Sequence, residues 1–208
     1  MKSNFRLTLL LILLTDALCA QTYITNVSVA DVVQHRWLHN QTVTISHELI
    51  TDIRPAQQAK IPANAAIVDG EGKYLIPGLI DAHIHFSQTG GLYTRPDAID
   101  LRKYKPYQEE IDWAHDHMED VLRRYLQNGI TTVMDVGTTI NFLKHRDAFK
   151  DATYAPSIYM SGPLLTTYEP AALSNLGDDG PFSLVKTVED GLKMVQQQLQ
   201  YHPDMIKI

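Results

Sequence analysis

Hydrophobic and polar positions fall into two regimes along the chain. Up to about residue 69 the apolar residues come in short alternating runs. Tyr23-Ile24-Thr25-Asn26-Val27-Ser28-Val29 alternates weakly and Gln41-Thr42-Val43-Thr44-Ile45 clearly; Leu49-Ile50-Thr51-Asp52-Ile53 and Ala65-Ala66-Ile67-Val68-Asp69 follow. Period-two alternation is the signature of half-buried strands, and Pro55 and Gly70-Glu71-Gly72 supply breaks. Short strands with no helix between them predict a small antiparallel sheet or β-sandwich over residues 21–75. At its first hairpin Ser46-His47-Glu48 stands where Asn-Gly or Asp-Gly is usual.

After Pro77 the pattern changes. Leu79 to Phe86 alternates as one strand, and residues 87–106 read as a long loop. From Tyr107 to Gln127 a helix is predicted, with Ile111, Ala114, His115, Met118, Val121, Leu122 and Tyr125 on one stripe. Asn128-Gly129 closes it, and Ile130 to Val136 is a β-rich run. The cycle repeats with a helix over Asn141–Lys150 and a strand over Ser157–Met160. A helix from about Thr187 to Gln200 and a strand over Met205–Ile208 complete it. Strands alternating with helices imply a parallel sheet. Four such strands are half of an eight-stranded barrel and would leave an open edge, so the chain is expected to be the N-terminal part of a longer protein.

The first twenty residues stand apart from both regimes. Lys2 and Arg6 precede the short apolar run Leu7–Leu14, and Leu18-Cys19-Ala20 offers a small residue before Gln21. That layout predicts a signal peptide over residues 1–20, too short to span a bilayer, and an extracytoplasmic protein. Cleavage would remove Cys19, the single cysteine. The mature chain would then have no disulfide, thiolate nucleophile or cysteine ligand, so any metal must be held by nitrogen and oxygen. The net charge of −6, with no Lys/Arg-rich run, argues against a nucleic-acid surface.

The candidate chemistry lies in Asp81-Ala82-His83-Ile84-His85. Alternation sends Asp81, His83 and His85 to one face and Ile80, Ala82, Ile84 and Phe86 to the other. Two imidazoles on one strand face can reach a single divalent ion, although a bare His-x-His more often belongs to an ordinary half-buried strand. His115-Asp116-His117 cannot converge in the same way, because such neighbours point apart on a helix. Asp135, at the end of its strand, is placed to line a site or to cap a loop. In the loop, Tyr93, Arg95 and Tyr104 are candidates for substrate contact, Arg95 being suited to a carboxylate.

Gly72-Lys73-Tyr74-Leu75-Ile76-Pro77-Gly78-Leu79-Ile80-Asp81-Ala82-His83-Ile84-His85 closely resembles the first barrel strand of the amidohydrolase superfamily, above all its secreted prolidase-like and imidazolonepropionase-like members. Asn128 to Gly137, Ile158 to Pro163 and Asp204 to Ile208 resemble its second, third and fourth strands. The resemblance implies a (β/α)8 TIM barrel, of which residues 76–208 would supply strands one to four, flanked by the β-sandwich. It implies one or two divalent ions, zinc being the expected metal, with His83 and His85 as ligands. Lys207 matches a lysine that is carboxylated in binuclear members and bridges two metals. A lysine facing a barrel interior loses its water, which disfavours the ammonium and frees the amine to react. From its place on the strand, and independently of the resemblance, Asp81 is a candidate either to orient a neighbouring group or to make a structural hydrogen bond within the strand. Two further histidines and a proton-shuttling aspartate are expected beyond Ile208. The implied activity is hydrolysis of carbon–nitrogen bonds in a small-molecule substrate, with a homo-oligomer compatible. A mononuclear deaminase and a non-catalytic metal-binding or interaction protein on the same fold are the alternatives.

Overall fold

The computed structural model describes residues 21–208, so the expected signal peptide lies outside the described residues. The chain divides into two units at Pro77 and Gly78.

The first unit is one five-stranded sheet. Strands β1 (Thr22–Asp31), β2 (Arg36–Ser46), β3 (Leu49–Pro55) and β4 (Ala66–Asp69) lie in the order β3-β2-β1-β4, and the short β5 (Tyr74–Leu75) also pairs with β1. β1, β2 and β3 form antiparallel pairs, whereas β4 and β5 run parallel to β1. This departs from the all-antiparallel expectation. After β3 the chain passes through a 3-10 turn at Ala56–Gln58 and residues 59–65, and it enters the far edge in the direction of β1. The β2–β3 hairpin places His47 at φ 57°, the left-handed conformation that Gly or Asn usually supplies. Val27, Val29 and Val43 form the core on one face. Where the sequence pattern predicts a small antiparallel sheet or a β-sandwich, the described residues of this unit form a single sheet.

The second unit contains a parallel sheet in sequential order: β6 (Leu79–Ile84), β7 (Ile130–Asp135) and β8 (Ser157–Met160). Sequential parallel order requires crossovers. They are made by α1 (Tyr107–Asp116) with α2 (Met118–Gln127), and by α3 (Ile140–Phe149). The predicted single helix is broken at His117 (φ −107°, ψ 15°), whose ring Nδ1 lies 2.9 Å from the Trp113 carbonyl that its own amide also uses. The stripe survives the break: Ile111, Ala114, Met118 and Leu122 are all buried. Of these, Ala114, Met118 and Leu122 pack with Ile84, Phe86, Val133, Phe142 and Met160 into one core between sheet and helices. Beyond β8, two strands not anticipated from the sequence, β9 (Leu164–Thr166) and β10 (Phe182–Leu184), pair in parallel. α4 (Val188–Leu199) starts on a capping box between Thr187 and Asp190. Of the expected fourth strand, only Met205 bridges to Ser161. No helix among the described residues is long and apolar enough to cross a membrane.

The start of β6 depends on a close approach. A Cβ on Gly78 would fall 2.7 Å from Cβ of Thr131 on β7, a clash that no rotation about the Thr131 side-chain bond relieves. Gly78→Ala is therefore expected to lower stability by about 1–3 kcal/mol, read by urea unfolding of the full-length protein.

Candidate active site

His83 and His85 lie at the C-terminal end of β6, where catalytic groups of parallel barrels gather. Their placement is not the simple alternation expected from the sequence. Asp81 is in register with Val133 and Ile84 with Asp135, so β6 spends three residues where β7 spends two. This bulge shifts the phase of the strand. Asp81 now aligns with a core residue on the helix side, and its charge helps, after burial, to push up the phenol of Tyr125 on α2. Asp81 therefore does not share a face with the two histidines, which corrects that expectation. Its carboxylate instead accepts from the amide of His83 at 3.3 Å, a bond made across the irregular segment.

Beyond the bulge the alternation resumes: Ile84 and Phe86 enter the core, and the two imidazoles lie together. Their ring centres are 5.3 Å apart at an interplanar angle of 84°. Two imidazoles bound to one ion at ~2.0–2.1 Å, with roughly tetrahedral angles, would have centres about 5 Å apart, so the pair fits a shared divalent ion. His85 Nδ1 is buried without a hydrogen-bond partner, and the nearest carboxylate oxygen, on Asp135, is 3.6 Å away. An orphaned buried nitrogen of this kind calls for a partner. Among the described residues no cluster of three or more His, Cys, Asp or Glu side chains could hold an ion.

Gly137 and Asp135 hold the His85 ring in place. A Cβ on Gly137 would lie 2.9 Å from Cε1 of His85, so glycine leaves the space that the imidazole fills. Asp135 is fully buried and accepts from the amides of Phe86 (2.9 Å) and Gly137 (3.2 Å). It clips the end of β6 to the end of β7 beneath the site and does not line the cavity.

That cavity, ≈ 280 Å³, is bordered by His85, Ser87, Arg95, Asp97, Tyr107 and Lys207 among others. It brings together residues that are far apart in sequence. Lys207 is half-buried, and its carbonyl accepts from the Leu165 amide at 3.0 Å, so β9 fixes the backbone that carries it. The neighbouring turn is tied by Asp204, which accepts from the Met160 amide (2.8 Å) and from Arg146 (2.9 Å). Tyr93 and Tyr104 are not among the lining residues; each instead lies beneath a lysine ammonium, Lys105 and Lys103 respectively. A larger cavity of ≈ 320 Å³ lies behind the strand among Trp113, Val121 and Tyr125, and His85 edges it too.

Asp97 and Tyr107 are the site residues that the sequence did not single out. The available signal was Arg95-Pro96-Asp97, a charge pair around a proline in a loop too long to be a plain connection. His115 converges on His145 and Asp179 in space, with its two ring nitrogens 3.1 and 3.0 Å from them, while stacking on Phe142.

The parallel sheet, its crossover helices and the paired histidines at the end of β6 define an α/β unit of half-barrel type. The amidohydrolase family model matches residues 74–207, more than half of the chain, and the protein belongs to that family. A guanine deaminase from Escherichia coli (strain K12) is 29% identical over 85 residues, 38% of this chain and 19% of the relative. A dihydroorotase from Bacillus cytotoxicus (strain DSM 22905 / CIP 110041 / 391-98 / NVH 391-98) is 29% identical over 115 residues, 49% of this chain and 27% of the relative. The structure of a prolidase complexed with N-methylphosphonate-L-proline superposes with a TM-score of 0.66 at 22% identity, over 91% of this chain and 46% of that one. That likeness shows the amidohydrolase TIM-barrel fold. The chain spans less than half the length of each of these proteins.

Proposed function

We propose that the whole protein is an extracytoplasmic, metal-dependent hydrolase that cleaves carbon–nitrogen bonds of small amides. Family membership supports hydrolysis at C–N bonds, and the leader pattern in residues 1–20 supports the location. The observation that carries the reading is the cavity shared by His85 and Lys207, with the His83 imidazole 5.3 Å from that of His85.

His83 and His85 would each bind through a neutral ring nitrogen, His85 being oriented by Asp135 and Gly137. Lys207 would first give up its ammonium proton to solvent; the neutral amine would then attack carbon dioxide, an N–C bond forming as one C=O π bond breaks, and loss of a second proton to solvent would leave a carbamate whose anionic oxygen stands where a cation was. His83, His85 and the carboxylated Lys207 would hold a divalent ion, zinc being suited to such donors, which when bound would supply a Lewis acid for water activation and carbonyl polarisation.

Metal analysis of the purified full-length protein tests this reading. One or two ions per chain are expected, with amide hydrolysis lost to a chelator and restored by zinc; metal-free protein with chelator-insensitive activity would sink it. Lys207→Ala should lower the metal content by about one ion per chain and slow hydrolysis by roughly 100-fold or more, as expected when several kcal/mol of electrostatic stabilisation are removed.

A further inference from the structure

The loop between β6 and α1 is anchored at several points. Thr94 and Pro96 are buried while Arg95 between them is exposed, and the Arg95 carbonyl accepts from the amides of Ala98 and Ile99, each at 3.0 Å. Glu110 on α1 accepts from Thr89 at 3.1 Å and pairs with Lys105, so both ends of the loop are fastened to the same helix.

Arg95 donates Nε to one Asp97 oxygen (2.9 Å) and Nη2 to the other (2.7 Å). Those bonds occupy the side-on edge of the guanidinium and use two of its five N–H donors. Its end-on edge, Nη1 with the second Nη2 hydrogen, makes no hydrogen bond among the described residues. Side-chain exposure is 52% for Arg95 and 13% for Asp97, so the carboxylate is the buttress and the cation the group presented. The bond from Arg95 holds the Asp97 carboxyl below its usual range, which keeps the buttress ionised. Tyr107, the first residue of α1, borders the same cavity, and its hydroxyl makes no hydrogen bond among the described residues. Burial, with help from the Asp97 charge, pushes that phenol up to about 12, so it remains a neutral O–H donor.

We propose that Arg95, seated by Asp97 and joined by Tyr107, is a carboxylate subsite, so that the preferred substrates are amides with a carboxylate close to the scissile bond. The proposal rests on the hydrolase reading above and names its substrate class. An open guanidinium edge matches a carboxylate bidentately. A cavity of ≈ 280 Å³ that also reaches His85 and Lys207 suits a molecule of N-acyl amino acid or dipeptide size.

The test is titration calorimetry of the full-length protein with the N-acetyl derivatives of glycine, leucine and phenylalanine, each as free acid and as methyl ester. At least one acid should bind roughly 10-fold or more tightly than its ester. Arg95→Gln should weaken that acid by roughly 10- to 100-fold and erase the preference. Tyr107→Phe should cost less, and Arg95→Lys should recover part of the loss. Equal affinity for acid and ester in every pair, or equal weakening of both by Arg95→Gln, would overturn the subsite. Turnover of the same compounds is read separately. Discrimination without turnover counts against the hydrolase reading alone, and turnover without discrimination against the subsite alone.

Discussion

His85→Ala in the full-length protein is expected to abolish tight metal binding and to lower kcat/KM by on the order of 10³ or more. The expectation follows from where the ring lies. Its Nδ1 is buried and unpartnered, Gly137 leaves room for it, and the His83 ring meets it edge-on at 5.3 Å. A group so confined has few rotamers to lose when an ion binds. Removing one of two strand-borne imidazoles leaves a single nitrogen where chelation needs both, and several kcal/mol of charge stabilisation go with the ion. His83→Ala should behave alike. Plasma emission analysis beside steady-state kinetics is the check, and a His85→Ala protein with undiminished metal content would refute the assignment.

Asp135→Ala is expected to cost about 2–5 kcal/mol of stability, more than most single substitutions. The carboxylate is fully buried and accepts from two amides, those of Phe86 and Gly137, that have no strand partner to turn to. Truncation would strand both donors out of reach of water. Asp135→Asn keeps the shape but offers one acceptor oxygen and an amide that faces another N–H, so its loss should be intermediate. Because the same side chain steadies His85, metal affinity should fall by about 10–100-fold even in protein that remains folded. Urea unfolding and competitive chelator titration separate the two effects. Loss of affinity in Asp135→Asn without loss of stability would mark the carboxylate as acting chiefly through His85.

The elements set by local pattern were legible in the sequence. The Tyr107–Gln127 stripe buries the residues its spacing selects, although His117 interrupts the helix: that residue's ring and amide both turn to the Trp113 carbonyl. β7, β8 and the capped start of α4 lie within a residue or so of expectation. β9 and β10 were not foreseen. Three-residue strands carry too little alternation to register, and they exist because the chain returns beside itself near the end of β8.

The candidate site was half legible. His83 and His85 stood out as a pair, and their shared face survives. Asp81 was misplaced, because a bulge is a matter of register against a neighbouring strand. Whether β6 spends three residues against two on β7 depends on the stretch from Val133 to Asp135, far along the chain. Lys207 could be singled out only by resemblance; its place at the cavity is fixed by the Leu165 amide and the Asp204 turn.

By itself, the sequence determined which stretches alternate with period two, which carry a helical stripe, and that two imidazoles share a strand. These follow from geometry within a few residues. Tertiary structure alone decided that Asp81 turns to the core, that Asp135 lies beneath His85, and that Asp97 and Tyr107 flank Arg95 at the cavity holding Lys207. Those relations come from register, burial and donor pairing between segments far apart in the chain, in one case by more than a hundred residues. Nothing in the local pattern encodes them, because the partner that satisfies each buried group arrives only when the sheet assembles.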